Sequence, residues 1–249
     1  MNKDSLLIDA DSIIYKAIYR KKEEDTIEDV YASFCAIVSD INRAYYNFSR
    51  YLDEIKVENM NYFIFFSTKK SWRNDYYSNY KSKRKLRNPM VAEIKKMALT
   101  RLRDKIIVKA NTEADDLVIY YQSIYGCRIA AMDKDVLNAS INKCYNYNQY
   151  GWRSGKDKWE IEKWYAKQAL MGDSTDGIPG ASGIGEVKAD KFIDKTKDYL
   201  DWNKFVKLFD GDEEEALTMM NLVRMDLLTI KKGKVKVNHW YPEDSEYWQ

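Results

Sequence analysis

Histidine is almost absent from this chain: His239, beside Trp240, is the one example in 249 residues. Triads with a histidine base and histidine-ligated zinc therefore have almost nothing to build on, which leaves carboxylates, lysine or a metal to carry any catalysis. Cysteine is scarce too. Cys35, Cys127 and Cys144 are odd in number and share no C-x-x-C spacing, which argues against a disulfide frame or a thiolate zinc site and fits free thiols in a reducing, cytoplasmic setting. No stretch reaches the roughly 18 apolar residues of a membrane helix, and Met1 to Ile8 lacks the basic start and long apolar run of a secretory leader, so a protein without a membrane partner is expected. Three prolines mark no flexible linker, and 41 basic against 39 acidic residues leave a formal charge of only +2. Functional electrostatics must then lie in how the charges are placed.

What is present suits a folded α/β body of one or at most two domains. Hydrophobic residues make up 45% and charged residues 32% of the chain, enough for a core and unlike a disordered segment. Short apolar runs at Leu6 to Ile8, Tyr62 to Phe66, Ile106 to Val108 and Arg128 to Met132 read as buried strands. Between them Val30 to Leu52, Val91 to Arg103 and Ala114 to Tyr125 return apolar residues at three- and four-residue intervals, as helices do. Alternating strands and helices predict a parallel-rich central sheet flanked by helices. From Trp159 onward the pattern predicts an all-helical region, with Asn142 to Lys158 as a hairpin or loop before it and an irregular arm after Lys231. The expected division is a core over 1–158 and a helical region over 159–249.

Acidic residues collect where the strands end. Asp9 and Asp11 follow the first strand, Glu113, Asp115 and Asp116 the third, and Asp133 and Asp135 the fourth. In open parallel sheets ligands bind outside the carboxyl ends of the strands, so these acids are expected to converge in one crevice. Aspartate before a helix is commonly just an N-cap, and each pair alone carries that plain reading. Three acidic sites on one edge exceed what helix ends require, and clustered carboxylates repel one another unless cations are bound. All-oxygen ligation points to Mg2+ or Mn2+, and two such ions suit phosphodiester hydrolysis.

Two further segments suggest a polyanionic partner. Gly172 to Gly185 is a glycine-punctuated turn between helices, where amides at the start of the second helix can hold phosphate and Lys188 and Lys191 add charge. An ordinary interhelical loop is the bland alternative. Lys69 to Arg87 is nearly all basic or aromatic. Lys69, Lys70, Arg73, Lys81, Lys83, Arg84 and Lys85 can neutralise phosphates, and Trp72, Tyr76, Tyr77 and Tyr80 can stack on unpaired bases. A solvated basic face would share this composition.

Taken in order, Leu6-Leu7-Ile8-Asp9-Ala10-Asp11, Tyr80-Lys81-Ser82-Lys83-Arg84, Glu113-Ala114-Asp115-Asp116, Asp133-Lys134-Asp135 and the Gly172 to Gly185 turn resemble the 5′-nuclease superfamily of flap endonucleases and 5′→3′ exonucleases. The phage-encoded 5′→3′ exonuclease/ribonuclease H branch is the nearest likeness. The resemblance implies a PIN-like α/β nuclease fold carrying a helix-three-turn-helix DNA-binding region, with 67–96 as a basic arch. It implies two divalent ions among Asp9, Glu113, Asp115, Asp116, Asp133, Asp135, Asp173 and Asp176. It assigns Lys81 and Arg84, taken as one helical turn apart, to the scissile phosphate, and Gly183, Ile184 and Gly185 to the downstream duplex, where carbonyls can also hold K+. DNA with 5′ ends, flaps or junctions is the implied substrate, with RNA of RNA-DNA hybrids as a further one and replication proteins as partners, in a bacterial or phage-infected cytosol. One departure stands out: where the family carries an aspartate after the second strand, this chain reads Phe65-Phe66-Ser67-Thr68-Lys69, with Asp75 and Asp11 as the acids nearest to hand.

Three functional readings follow. The first is the metal-dependent 5′ nuclease. The second, favoured by the departure at Ser67-Thr68, is a DNA-junction or end-binding protein that keeps the fold with weakened or lost turnover. The third, a PIN-like ribonuclease, shares the acidic strand ends but lacks the glycine-rich helical turn.

Overall fold

The computed structural model describes residues 1–51, 56–84, 88–196 and 198–249. The chain opens with β1 (Ser5–Asp9), α1 (Asp11–Tyr19), α2 (Ile27–Ser49) and β2 (Asn61–Phe65), followed by α3 (Trp72–Tyr76), α4 (Pro89–Arg101) and β3 (Ile106–Ile107). Next come α5 (Ala114–Tyr125), β4 (Arg128–Ala131), α6 (Lys134–Ala139), β5 (Cys144–Asn146) and β6 (Gly151–Arg153). The remainder is α7 (Lys158–Met171), α8 (Glu186–Asp194), α9 (Trp202–Lys207), α10 (Glu213–Val223), β7 (Leu228–Lys231) and β8 (Lys234–Val237). The helix expected over Val30 to Leu52 corresponds to α2, and Leu52 lies outside the described residues. No described helix is long and apolar enough to cross a membrane.

Two compact units result, Met1–Lys69 with Leu86–Gly155, and Lys70–Lys85 with Lys156–Gln249. The first holds a six-stranded sheet in the order β3-β2-β1-β4-β5-β6, parallel throughout except for the β5–β6 hairpin. That hairpin occupies the 142–158 segment. A central parallel strand covered on both faces needs an unbroken apolar run, and β1 supplies Leu6, Leu7 and Ile8, all fully buried. On one face of the sheet, Ile13 and Ile14 of α1, Phe34, Ile37 and Ile41 of α2 and Ile94 of α4 pack with Ile8, Ile64 and Phe66. The start of α2 is fixed by a capping box between Thr26 and Asp29, which satisfies two otherwise orphaned amides. Chain order reverses at β1, whose neighbours are β2 and β4, so the crevice at the carboxyl ends of these strands is the place where an α/β sheet binds its ligand.

The second unit is not all helical, which corrects the sequence expectation. β7 and β8 form an antiparallel hairpin, Leu228 opposite Val237 and Lys231 opposite Lys234. Lys232 and Gly233 turn it with φ of +49° and +77°, the left-handed pair that matches strand twist in a two-residue loop. The segment after Lys231 is likewise no loose arm. Trp240 and Trp248 are buried and pack edge-on with Trp202, while backbone bonds join Leu200 to Tyr247 and Gln249. At the centre of this unit Arg224, on the loop after α10, is held bidentately by Glu162 of α7 at 2.6 and 3.2 Å and by Asp226 at 2.7 and 3.0 Å.

Candidate active site

The carboxyl ends of β1 and β4 and the start of α5 each deliver acid groups in the first unit. Asp9 ends β1 and is 5% exposed; Glu113 is the N-cap residue of α5 and is buried, and Asp116 in its first turn is 1% exposed. Asp115 and Asp135 are half-buried and Asp133 is exposed. Asp133 caps α6 by accepting the Asp135 amide at 2.8 Å, so the plain capping role and a place at the strand end are combined in one residue. Asp9 shows what this placement does. Burial first, then the negative charges of Asp115, Asp11 and Asp133, push its carboxyl well above the ordinary range, and the Asp11 amide pulls it only partly back. Its Oδ1 is buried without a hydrogen-bond partner, a costly state for a polar atom.

A divalent cation fits this donor set. It would give the orphaned oxygen a partner and replace carboxylate repulsion by attraction, and oxygen-only ligands suit a hard ion. Among the described residues no three acid, imidazole or thiol groups already stand as a ready-made cage.

The end of β2 carries neutral hydroxyls, and both have structural partners. Ser67 Oγ accepts the Ala114 amide at 2.9 Å, serving the α5 terminus that the Glu113 side chain does not cap. Thr68 pairs with Thr112, its Oγ1 donating to the carbonyl at 3.0 Å and accepting the amide at 3.1 Å. Sequence reasoning missed two contributors. Tyr147, on the β5–β6 hairpin, donates its hydroxyl to the Asp9 carbonyl at 3.0 Å, and burial with the nearby Asp9 charge raises that phenol well above its usual value. Lys95 of α4 pairs with Asp11 at 2.8 Å. Neither has a local sequence signature.

In the second unit Asp173 and Asp176 lie on the loop after α7. Asp173 Oδ1 accepts the amides of Thr175 and Asp176 at 2.8 and 3.2 Å. Asp176 gathers the basic turn: Lys81 Nζ lies 3.4 Å from its Oδ2, Arg84 pairs with its Oδ1, and Tyr80 donates to Oδ2 at 3.2 Å. The Lys81 amide also donates to the Asp176 carbonyl at 2.6 Å. Gly177 permits this approach, since its φ is +72° and an added Cβ would meet the Asn79 carbonyl at 2.5 Å. Lys81 and Arg84 are therefore brought together by a turn in which Lys81 itself has φ +55°, and not by the helix the sequence suggested.

The basic segment is corrected in a second respect. Trp72, Arg73 and Tyr80 are 7%, 4% and 4% exposed and cannot offer faces to bases. Arg73 donates to the Leu222 carbonyl at 2.7 Å and to that of Arg224, and its guanidinium lies over Trp72. These residues anchor the segment. Lys69, Lys70 and Lys83 are exposed, and Lys85 lies outside the described residues. In the glycine turn Gly183 and Gly185 are exposed and Ile184 half-buried. Lys188 donates to the Gly183 carbonyl at 2.9 Å.

A family model described as "5'-3' exonuclease, N-terminal resolvase-like domain" matches residues 4–167. The 5'-3' exonuclease of Buchnera aphidicola subsp. Schizaphis graminum is 26% identical, the match covering 95% of this chain and 87% of that protein. Among solved structures, a bacteriophage T5 protein co-crystallised with metal ions superposes with a TM-score of 0.66 at 16% identity over 89% of each chain. The bacteriophage T5 flap endonuclease in a pseudo-enzyme-product complex with DNA and metal ions gives 0.61 at 15% identity over 89% of each chain. These likenesses match the mostly parallel sheet flanked by helices.

Proposed function

The chain belongs to the 5'-3' exonuclease family, and on that premise we propose that it is a divalent-metal-dependent 5′ nuclease that hydrolyses DNA at 5′ ends, flaps or junctions. The observation that carries the reading is the buried, partnerless Asp9 oxygen among the charges of Asp115, Asp11 and Asp133. Asp9, Glu113, Asp115, Asp116, Asp133 and Asp135 are the residues to hold the metal, as Mg2+ or Mn2+ and as two ions. When bound, such ions supply an activated water and stabilise the leaving oxygen. The chain's own part is to fix the carboxylates at strand ends and to meet phosphate charge with cations. Lys81 and Arg84, preset on Asp176, are the cations for the substrate phosphate, exchanging one anion for another. Lys69, Lys70 and Lys83 add sequence-independent attraction. Gly183 and Gly185, exposed ahead of α8, suit duplex backbone, with Lys188 competing for the carbonyl that K+ would use.

Lys81→Ala is expected to lower the single-turnover rate by roughly a hundredfold, the scale of one lost charge-stabilising donor, with a much smaller loss of DNA affinity. An unchanged rate would take Lys81 out of the reaction. The proposal as a whole is tested with 5′-labelled duplex, 5′-flap and RNA-DNA hybrid substrates in Mg2+, Mn2+ and EDTA. Cleavage that needs the metal and vanishes in EDTA is the expected result, the product lengths separating end-trimming from flap removal. Tight DNA binding without cleavage under every metal condition would instead support the end-binding reading that Ser67 and Thr68 favour.

A further inference from the structure

Asp11 reaches well beyond its own helix. A carboxylate in the first turn ordinarily serves the helix dipole, yet Asp11 Oδ2 accepts the Ser67 amide at 3.1 Å, and its Oδ1 accepts Lys95 Nζ at 2.8 Å. Lys95 also donates to the Ser67 carbonyl at 2.9 Å and lies 4.9 Å from the centre of the Phe66 ring. Three elements are joined at this point: the start of α1, the end of β2 and α4. The pair is not a loose surface contact, since the side chains of Lys95 and Asp11 are 17% and 29% exposed. Asp11 stands two residues from Asp9, whose Oδ1 has no partner; the Asp11 amide donates to the Asp9 carboxyl, and the Asp11 charge is among those that raise it.

We propose that Asp11 is a further carboxylate of the metal crevice, supplied to the end of β2 from α1, and that Lys95 is its built-in counter-ion, holding Asp11 in register and competing with a divalent ion for it. This rests on reading the crevice as a metal site. A clamp with a purely structural role would contribute to stability alone. A counter-ion within a metal site acts on affinity with a definite sign: removing the carboxylate weakens cation binding, and removing the ammonium strengthens it.

The two effects are separated by titrating MnCl2 into the full, DNA-free chain by calorimetry. Asp11→Asn keeps the shape and an acceptor for the Ser67 amide, and is expected to weaken Mn2+ binding by about tenfold, whereas Lys95→Met keeps the length of the side chain and is expected to tighten it by about fivefold. Thermal melts in EDTA report the fold of each variant, and should Asp11→Asn unfold, Lys95→Met against the charge-preserving Lys95→Arg still gives the sign. Unchanged Mn2+ affinity in the folded variants, or changes of the same sign in both, would overturn the proposal while leaving the crevice as a metal site. A wild-type chain that takes up no Mn2+ would overturn the metal-site reading and this proposal together.

Discussion

Asp115→Asn abolishes metal-dependent cleavage in practice, with a fall in rate on the order of a thousand-fold, the equivalent of about 4 kcal/mol of transition-state stabilisation by a metal ion. The substitution keeps the volume of the side chain and removes its charge. Asp115 is the largest of the like charges acting on Asp9, so its removal also lets the Asp9 carboxyl fall back toward its ordinary range. Binding should survive, because affinity for DNA comes mainly from lysine and arginine on phosphates and the exposed lysines of the basic segment are untouched. Single-turnover cleavage in Mg2+, with affinity measured by fluorescence anisotropy on the same 5′-flap DNA, checks both halves. A variant that cuts at the wild-type rate would remove Asp115 from the site.

Arg224→Ala should cost the second unit about 3–5 kcal/mol, the usual penalty for breaking a buried ion pair from one side. Glu162 is 5% exposed and would lose both guanidinium bonds while keeping the Trp248 indole, 2.8 Å away, as a donor. At about 2–4 °C per kcal/mol for a chain of this size the melting temperature falls by roughly 10 °C. Arg101→Ala is the control. Its pair with Glu28 is 48% and 58% exposed, and exposed pairs are worth about 0–1 kcal/mol. The Arg224 variant bears on function as well, because Arg73 is anchored on the Leu222 and Arg224 carbonyls and lies in the segment that carries Lys81 and Arg84. Thermal denaturation of both variants decides it; equal, small losses would mean that the buried network is not what holds this unit.

The sheet was legible because burial on both faces leaves an unmistakable mark, an unbroken apolar run such as Leu6-Leu7-Ile8, and the acids Asp9 and Asp133 follow directly where the runs stop, with Glu113 a short loop beyond its run. The β7–β8 hairpin was not, since β7 (Leu-Thr-Ile-Lys) and β8 (Lys-Val-Lys-Val) are four residues each, too short for their alternation to stand out beside helices. Composition also misled at Trp72, Arg73 and Tyr80. An aromatic-basic run has the same letters whether its rings face bases or pack under an arginine, and only the carbonyls of Leu222 and Arg224, about 150 residues away in sequence, decide between them. The Asp11–Lys95 pair spans 84 residues and has no local signature at all.

The central claim is that the strand-end carboxylates of the first unit hold divalent ions, and anomalous diffraction from crystals grown with MnCl2 tests it most directly. The expected result is an anomalous peak within coordination distance of Asp9 and Asp115, at about 2.0–2.3 Å from their oxygens. Mn2+ bound only elsewhere on the chain, with Asp9 still lacking a partner, would contradict it.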